Sequence, residues 1–321
     1  MARRSILRGL VLALGVALAA PGVGWASSCT AALAAPDTAV ALVFSGGGAK
    51  GAWEAGAAAA LLGAGLPVRV VAGSSAGALN AAMVADGRLD RLEALWRTVT
   101  REQVYALRPS VFFAGLLPGW LTLLTLNHAG SLLDPEPLRR LIADSLDFER
   151  VRASPVRLVV VTSDVARYRT RIFDNDSVTL DALMAATAVP GAFPAVEVEG
   201  DLLVDGGLAG RAPVLEALAT GIPVGRAVVV MSYASDERTA PPTTLRRALE
   251  GAFEMAMVHQ IRRDTELARL RYPAVDVQVL TPSAPLGLRP LDFDPERLAR
   301  AVELGKRDGL ECLKTWNGPR P

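Results

Sequence analysis

Two glycine-framed turns, each set between an apolar run and an alanine-rich stretch, constrain this chain more than anything else in it. The first, Gly46-Gly47-Gly48-Ala49-Lys50-Gly51, follows the apolar run 39–44, and the second, Gly73-Ser74-Ser75-Ala76-Gly77, follows the mostly apolar run 68–72. Short apolar runs of this kind read as buried strands, and the alanine-rich stretches after the turns read as helices. The second turn has the form Gly-x-Ser-x-Gly between strand and helix, a nucleophile elbow that lifts the Ser75 hydroxyl into the open. The first offers backbone N–H groups at a helix start, which can hold an anion. A nucleophile beside an anion site is most of what acyl transfer needs.

The same alternation continues down the chain. Strands are expected at 39–45, 68–73, 156–162, 169–173, 202–205, 227–232 and 275–280. Helices are expected at 51–62, 76–85, 91–98, 136–145, 180–187, 213–219, 243–270 and 295–313. Valine-rich runs such as Leu158-Val159-Val160-Val161 fit strands covered on both faces, so the fold class is α/β, a mostly parallel sheet flanked by helices. With no linker or internal repeat, residues 36–321 read as one domain.

Residues 1–35 read as an export leader: Arg3, Arg4 and Arg8 precede an apolar stretch over 9–20, which is too short for a confident membrane span. The arginine pair leaves twin-arginine and ordinary secretory export both open, with periplasm or secretion as the destination. Subtracting the three leader arginines from the net charge of +1 gives −2, and no basic run argues for nucleic acid. Cys29 follows a weak lipobox, Ala26-Ser27-Ser28-Cys29, so lipidation there is one reading and cleavage elsewhere the other. A Cys29–Cys312 disulfide needs Cys29 to survive processing; otherwise Cys312 is expected as a buried free thiol.

A serine needs a base. Asp205, in Val204-Asp205-Gly206-Gly207 at the end of an apolar strand, is the candidate, provided a partly desolvated site raises its basicity. Taken by itself it could equally cap a turn. Of the two histidines, His128 falls in a turn and His259 inside the long helix 243–270. The order Ser75, Asp205, His259 keeps a three-residue esterase open as an alternative. A strand followed by Gly-x-Gly-x-x-Gly also outlines a dinucleotide site, but Val70-Val71-Ala72-Gly73 stands where an acidic residue is wanted. A P-loop fails because Ala52-Trp53 follows Gly51.

With Ala185-Ala186-Thr187-Ala188-Val189-Pro190-Gly191-Ala192-Phe193-Pro194 added to the two turns and to Asp205-Gly206-Gly207, the chain resembles the patatin-like phospholipases over about 39–213. These are lipid acyl hydrolases related to the catalytic domain of cytosolic phospholipase A2. The resemblance implies a patatin-like three-layer sandwich and a Ser75–Asp205 dyad working through an acyl-enzyme. It places the oxyanion on the amides of Gly46, Gly47 and Gly48, and motif support at Lys50, Gly51, Gly73, Gly77, Gly206 and Gly207. Lys50 would steady the glycine turn or meet a phosphate headgroup, a merely solvated lysine being the alternative. Gly210 and Arg211 depart from the pattern, since family members often carry Asn before the proline that is Pro213 here. The expected partner is a lipid or ester substrate, with membrane-surface contact; no cofactor or metal is called for, and no calcium loop is recognisable. A non-catalytic scaffold is the remaining rival. Residues 111–126, uncharged and rich in large apolar side chains, read either as a lid carrying Phe112, Phe113 and Trp120 or as a buried helix pair.

Overall fold

A computed structural model of the protein describes Cys29 and residues 38–114, 130–234 and 241–317. The valine-rich runs form strands β1 (Val40–Phe44), β2 (Val68–Gly73), β3 (Ala106–Leu107), β4 (Leu133–Asp134), β5 (Arg157–Asp164), β6 (Arg169–Phe173), β7 (Val196–Val198), β8 (Asp201–Asp205), β9 (Arg226–Val230) and β10 (Asp276–Leu280). The helices are α1 (Gly51–Gly63), α2 (Ala76–Asp86), α3 (Leu89–Thr98), α4 (Arg101–Val104), α5 (Pro109–Ala114), α6 (Glu136–Ser145), α7 (Phe148–Arg152), α8 (Leu180–Ala186), α9 (Val214–Leu218), α10 (Leu245–Arg271) and α11 (Pro295–Asn317). Eight strands make the main sheet in the order β10-β9-β1-β2-β5-β8-β7, with β6 also on β5. From β10 to β5 the pairs are parallel; β6, β8 and β7 join antiparallel. The expected α/β class holds, with an antiparallel edge added.

Alternation along the strands splits the core in two. Leu42 and Phe44 of β1, Val71 of β2 and Val228 of β9 face one layer, with α1, α2, α3 and α11. Ala41, Val43, Val70 and Val229 face the other, with α9 and part of α10. Side chains of a strand point alternately to opposite faces, so runs that are apolar at every position demand two covering layers.

On the first layer α1 and α11 approach closely. A Cβ at Gly56 would lie 2.1 Å from the Val302 carbonyl oxygen, and one at Gly305 would lie 2.0 Å from that of Trp53. Trp53 Nε1 donates to Asp308 Oδ2 at 2.8 Å across the same seam.

Cys312, fully buried on α11, is disulfide-bonded to Cys29, with Cα atoms 5.5 Å apart. The expected free thiol at Cys312 is therefore corrected, because Cys29 packs against the same apolar cluster and reaches it. A leader cut after residue 35 would remove half of this bond, so that boundary and the bond exclude each other. Lipidation of Cys29 would need the same sulfur.

Candidate active site

The serine sits where β2 hands over to α2. Ser75 has φ 56° and ψ −138°, a backbone conformation that costs a non-glycine residue energy and that an elbow imposes on its nucleophile. The flanking glycines are required by contact: a Cβ at Gly73 would stand 2.2 Å from the Gly77 carbonyl oxygen, and one at Gly77 would stand 2.7 Å from that of Phe44. The Ser75 N–H donates to Ala186 O at 3.0 Å, which fixes the turn against the end of α8.

The glycine turn lies alongside. Gly46, Gly47 and Gly48 all have positive φ, 72°, 119° and 60°. Gly51, at the start of α1, packs against the Trp96 ring. The Gly46 N–H donates to Glu54 Oε1 at 2.8 Å, so it is turned away from any substrate oxygen. The amides of Gly47 and Gly48 make no hydrogen bond among the described residues, and both glycines line the cavity described below.

Glu54, fully buried on α1, also accepts from Ser45 Oγ at 2.8 Å and from Asn80 Nδ2 at 3.2 Å. Asn80 in turn accepts from Trp96 Nε1 at 2.7 Å. Burial pushes the Glu54 carboxyl up from 4.5 to about 8, against the pull of these donors and of Arg211. Sequence reasoning passed over this residue, although Glu54 is the one charge in the stretch 51–62.

Asp205 ends β8. Its N–H donates to Ala188 O and its carbonyl accepts from Ser163 Oγ, both at 3.0 Å. The segment 185–194 thus holds both candidate residues, Ser75 through Ala186 and Asp205 through Ala188. Oδ1 accepts from Gly207 N at 2.7 Å, whereas Oδ2 is buried with no hydrogen-bond partner of ordinary geometry. A Cβ at Gly206 would meet the Val161 carbonyl oxygen at 2.0 Å, so the turn after Asp205 sits tightly on β5. Burial raises the Asp205 carboxyl above its ordinary value; Arg211, the Gly207 amide and the Ser75 hydroxyl pull it back. The result is a stronger base than an exposed aspartate, with one oxygen free and the serine hydroxyl acting on it. Ser74 Oγ donates to Arg211 O at 2.6 Å and ties the elbow to this loop, so the loop is held without the family's Asn.

Ser75 opens onto a cavity of about 800 Å³, which Gly47, Gly48 and Arg211 also line, while Asp205 lies buried behind it. Leu79, Met83, Trp96, Leu138, Phe193 and Phe293 are among its apolar walls. Leu208, Leu249, Phe253 and Leu291 line it and are also exposed, forming an apolar rim.

Lys50 is neither solvated nor at the mouth. It is buried, pairs with Glu254 Oε1 of α10 at 2.9 Å and lies 4.2 Å from the centre of the Tyr233 ring. His259 is exposed on α10 and is not among the cavity-lining residues. Phe112 is exposed on α5; Trp120, His128 and the Phe113 side chain lie outside the described residues, as does most of 111–126. No group of three or more His, Cys, Asp or Glu among the described residues is placed to hold a metal ion. No described helix is long and apolar enough to cross a membrane.

The family model for patatin-like phospholipase matches residues 42–218, a span that includes Ser75, Asp205 and all four glycines of the first turn. The chain belongs to the patatin-like phospholipase family. Uncharacterised NTE family proteins of Mycobacterium tuberculosis and Mycobacterium bovis are 29% identical to it over 170 residues, which is 53% of this chain and 42% of theirs. The chain thus spans under half the length of these curated relatives. Among solved structures it is similar to VipD from Legionella pneumophila, with a TM-score of 0.46 and 14% identity over 90% of this chain and 70% of that one. It is also similar to human GIVD cytosolic phospholipase A2 in complex with methyl gamma-linolenyl fluorophosphonate, with a TM-score of 0.45 and 13% identity over 87% and 58%. Membership of the patatin-like family supports a lipid acyl hydrolase at the level of the family.

Proposed function

We propose that this protein is a serine hydrolase of lipid carboxylic esters that works through Ser75 and Asp205 without a histidine. The observation that carries the reading is the buried, unpartnered Oδ2 of Asp205 beside a serine held on a strained elbow. Asp205 takes the proton of Ser75 Oγ as that oxygen attacks the ester carbonyl. The oxyanion so formed is received by the Gly47 and Gly48 amides, beside the N-terminus of α2 where the helix dipole favours negative charge. Collapse expels the alcohol, which recovers the proton from Asp205 and leaves an acyl-Ser75. A water, deprotonated by the same carboxylate, then releases the acid and restores the serine.

The apolar cavity suits an acyl chain, and the rim of Leu208, Leu249, Phe253 and Leu291 suits contact with a lipid surface. The leader-like composition of 1–35 and the Cys29–Cys312 bond both favour an exported protein, since disulfides persist in oxidising compartments.

The test is hydrolysis of p-nitrophenyl esters of increasing chain length and of phospholipid vesicles by purified chain that retains Cys29. Wild type is compared with Ser75→Ala, Asp205→Asn and His259→Ala. The reading expects activity lost in the first two with the fold intact by circular dichroism, activity kept in His259→Ala, and a preference for longer chains. Loss of several orders of magnitude in His259→Ala would replace the dyad by a triad. Absence of wild-type activity on every ester would favour a scaffold.

A further inference from the structure

We infer that Arg211 is a positioning residue for the acyl-transfer site: its buried guanidinium is the counter-ion of one negative charge that moves from Asp205 to the substrate oxygen. The inference rests on the dyad reading above and goes beyond it.

Arg211 is 3% exposed. Nη2 donates to Tyr233 OH at 3.3 Å, and Nε is buried with no partner among the described residues. The guanidinium packs closely against the turn at Gly207 and reaches, with Ser232 and Tyr233, the turn at Gly47. A Cβ at Gly207, in the turn after Asp205, would lie 2.7 Å from Nη1, and a Cβ at Gly47, in the oxyanion turn, would lie 3.4 Å from Nη2. One cation therefore spans the interval between the base and the anion site. A buried guanidinium with a single long hydrogen bond among the described residues is costly unless nearby negative charge offsets its desolvation. Burial opposes its charge, and Tyr233, Asp205 and, once ionised, Glu54 support it.

Charge conservation says why a cation belongs there. In a serine–histidine–aspartate site the imidazolium formed during attack accompanies the oxyanion. A Ser–Asp site has no such partner. Before attack the charge of −1 sits on Asp205; after the proton moves and the Oγ–carbon bond forms, Asp205 is neutral and the −1 sits on the former carbonyl oxygen. The net charge is −1 throughout and only its place changes. A fixed cation between the two places keeps the dry site neutral at every stage and needs no reorganisation. It also pulls the Asp205 carboxyl back toward its ionised, proton-accepting form, against the burial that favours the neutral one.

The groups that face the Asp205 side chain are few. Ser75 comes from the elbow before α2, the Gly207 amide from its own turn, and Arg211 from the loop beyond. Glu54 of α1 and Tyr233 after β9 act on Arg211 itself, and the charge of Lys50 is taken by Glu254 of α10. Glu54, which also acts on Arg211, titrates near 8.

The experiment measures kcat and KM against pH, on a p-nitrophenyl ester, for wild type, Ser75→Ala, Arg211→Met and Arg211→Lys, with folding checked by circular dichroism. For Arg211→Met the expected result is a fall in kcat on the order of 100-fold to 1000-fold, the scale of losing one oxyanion donor. KM changes little, and the acid limb of kcat/KM moves to higher pH, because an aspartate stripped of its counter-ion holds its proton more tightly. Arg211→Lys recovers a large part of kcat and returns the limb toward wild type. If the methionine variant does not fold, Arg211→Gln, which keeps a polar contact for Tyr233, reads the same limb. An active, Ser75-dependent enzyme whose acid limb is unmoved in Arg211→Met or Arg211→Gln overturns this inference and leaves the dyad standing. Full activity in Ser75→Ala overturns both.

Discussion

Replacing Glu54 by glutamine removes one ionisable group from beneath the glycine turn and keeps its shape. In the unfolded chain this carboxyl titrates at its ordinary 4.5; folded, buried between Ser45, Gly46 and Asn80, it titrates at about 8. The folded state therefore holds the proton more tightly. Its contribution to stability is fully present below pH 4.5, declines as pH rises toward 8 and is gone above that. At about 1.4 kcal/mol per pH unit, the gap between 4.5 and about 8 corresponds to about 5 kcal/mol. Glutamine carries no such dependence. Urea unfolding of both proteins at pH 5, 7 and 9, followed by circular dichroism, isolates the term, because every other titrating group cancels in the difference. The variant should gain on the wild type by several kcal/mol between pH 5 and pH 9, with most of the change between pH 5 and pH 8. A difference that stays constant across the three pH values would refute the reasoning. It would mean that Glu54 is as ionised inside the fold as outside it, with Arg211 as its effective partner.

Two further outcomes follow from packing and from the cross-link. Gly56→Ala should destabilise the fold despite alanine's higher helix propensity, because its Cβ would sit 2.1 Å from the Val302 carbonyl oxygen and force α1 from α11; the overpacking cost is about 1–3 kcal/mol or more, read as a lower urea midpoint. Cys312→Ala should lower the melting temperature and free the N-terminal segment to proteolysis, since the bond closes a loop of 283 residues, worth about 5–6 kcal/mol by chain entropy and typically 2–4 in practice; an unchanged melting curve under reducing conditions would show that the bond does not form in solution.

The parts of the fold legible in the sequence are those where local chemistry decides the outcome. Valine-rich apolar runs, the first two ended by glycine, marked β1, β2, β5 and β9 to within a few residues, and the long amphipathic stretch 243–270 is α10 at Leu245–Arg271. The pieces passed over are short. β7 has three residues, α4 has four, and the charged α7 has five, too few for a period to emerge. The antiparallel edge was also illegible, since pairing direction is set by connections and not by the strand's own residues.

At the site, Ser75 and Asp205 were readable because each stands inside a glycine motif whose geometry is local. Their environment was not. Lys50 meets Glu254 across 204 residues of chain, and Ser45 meets Ser232 across 187. Glu54 stood out only as one charge in an alanine-rich helix, and nothing nearby announced that Asn80 and the Gly46 amide would meet it. Arg211 was visible as a departure from the family pattern; its role depends on its approach to the turns at Gly47 and Gly207, which only the assembled fold reveals.

The most direct measurement is covalent labelling with a serine-directed long-chain fluorophosphonate, followed by peptide mass spectrometry, in wild type and Asp205→Asn. The account predicts one label per chain, on Ser75, with labelling slowed on the order of 100-fold or more when Asp205 is neutralised, the scale of losing a general base. A label on another residue, or wild-type labelling rates in Asp205→Asn, would contradict it.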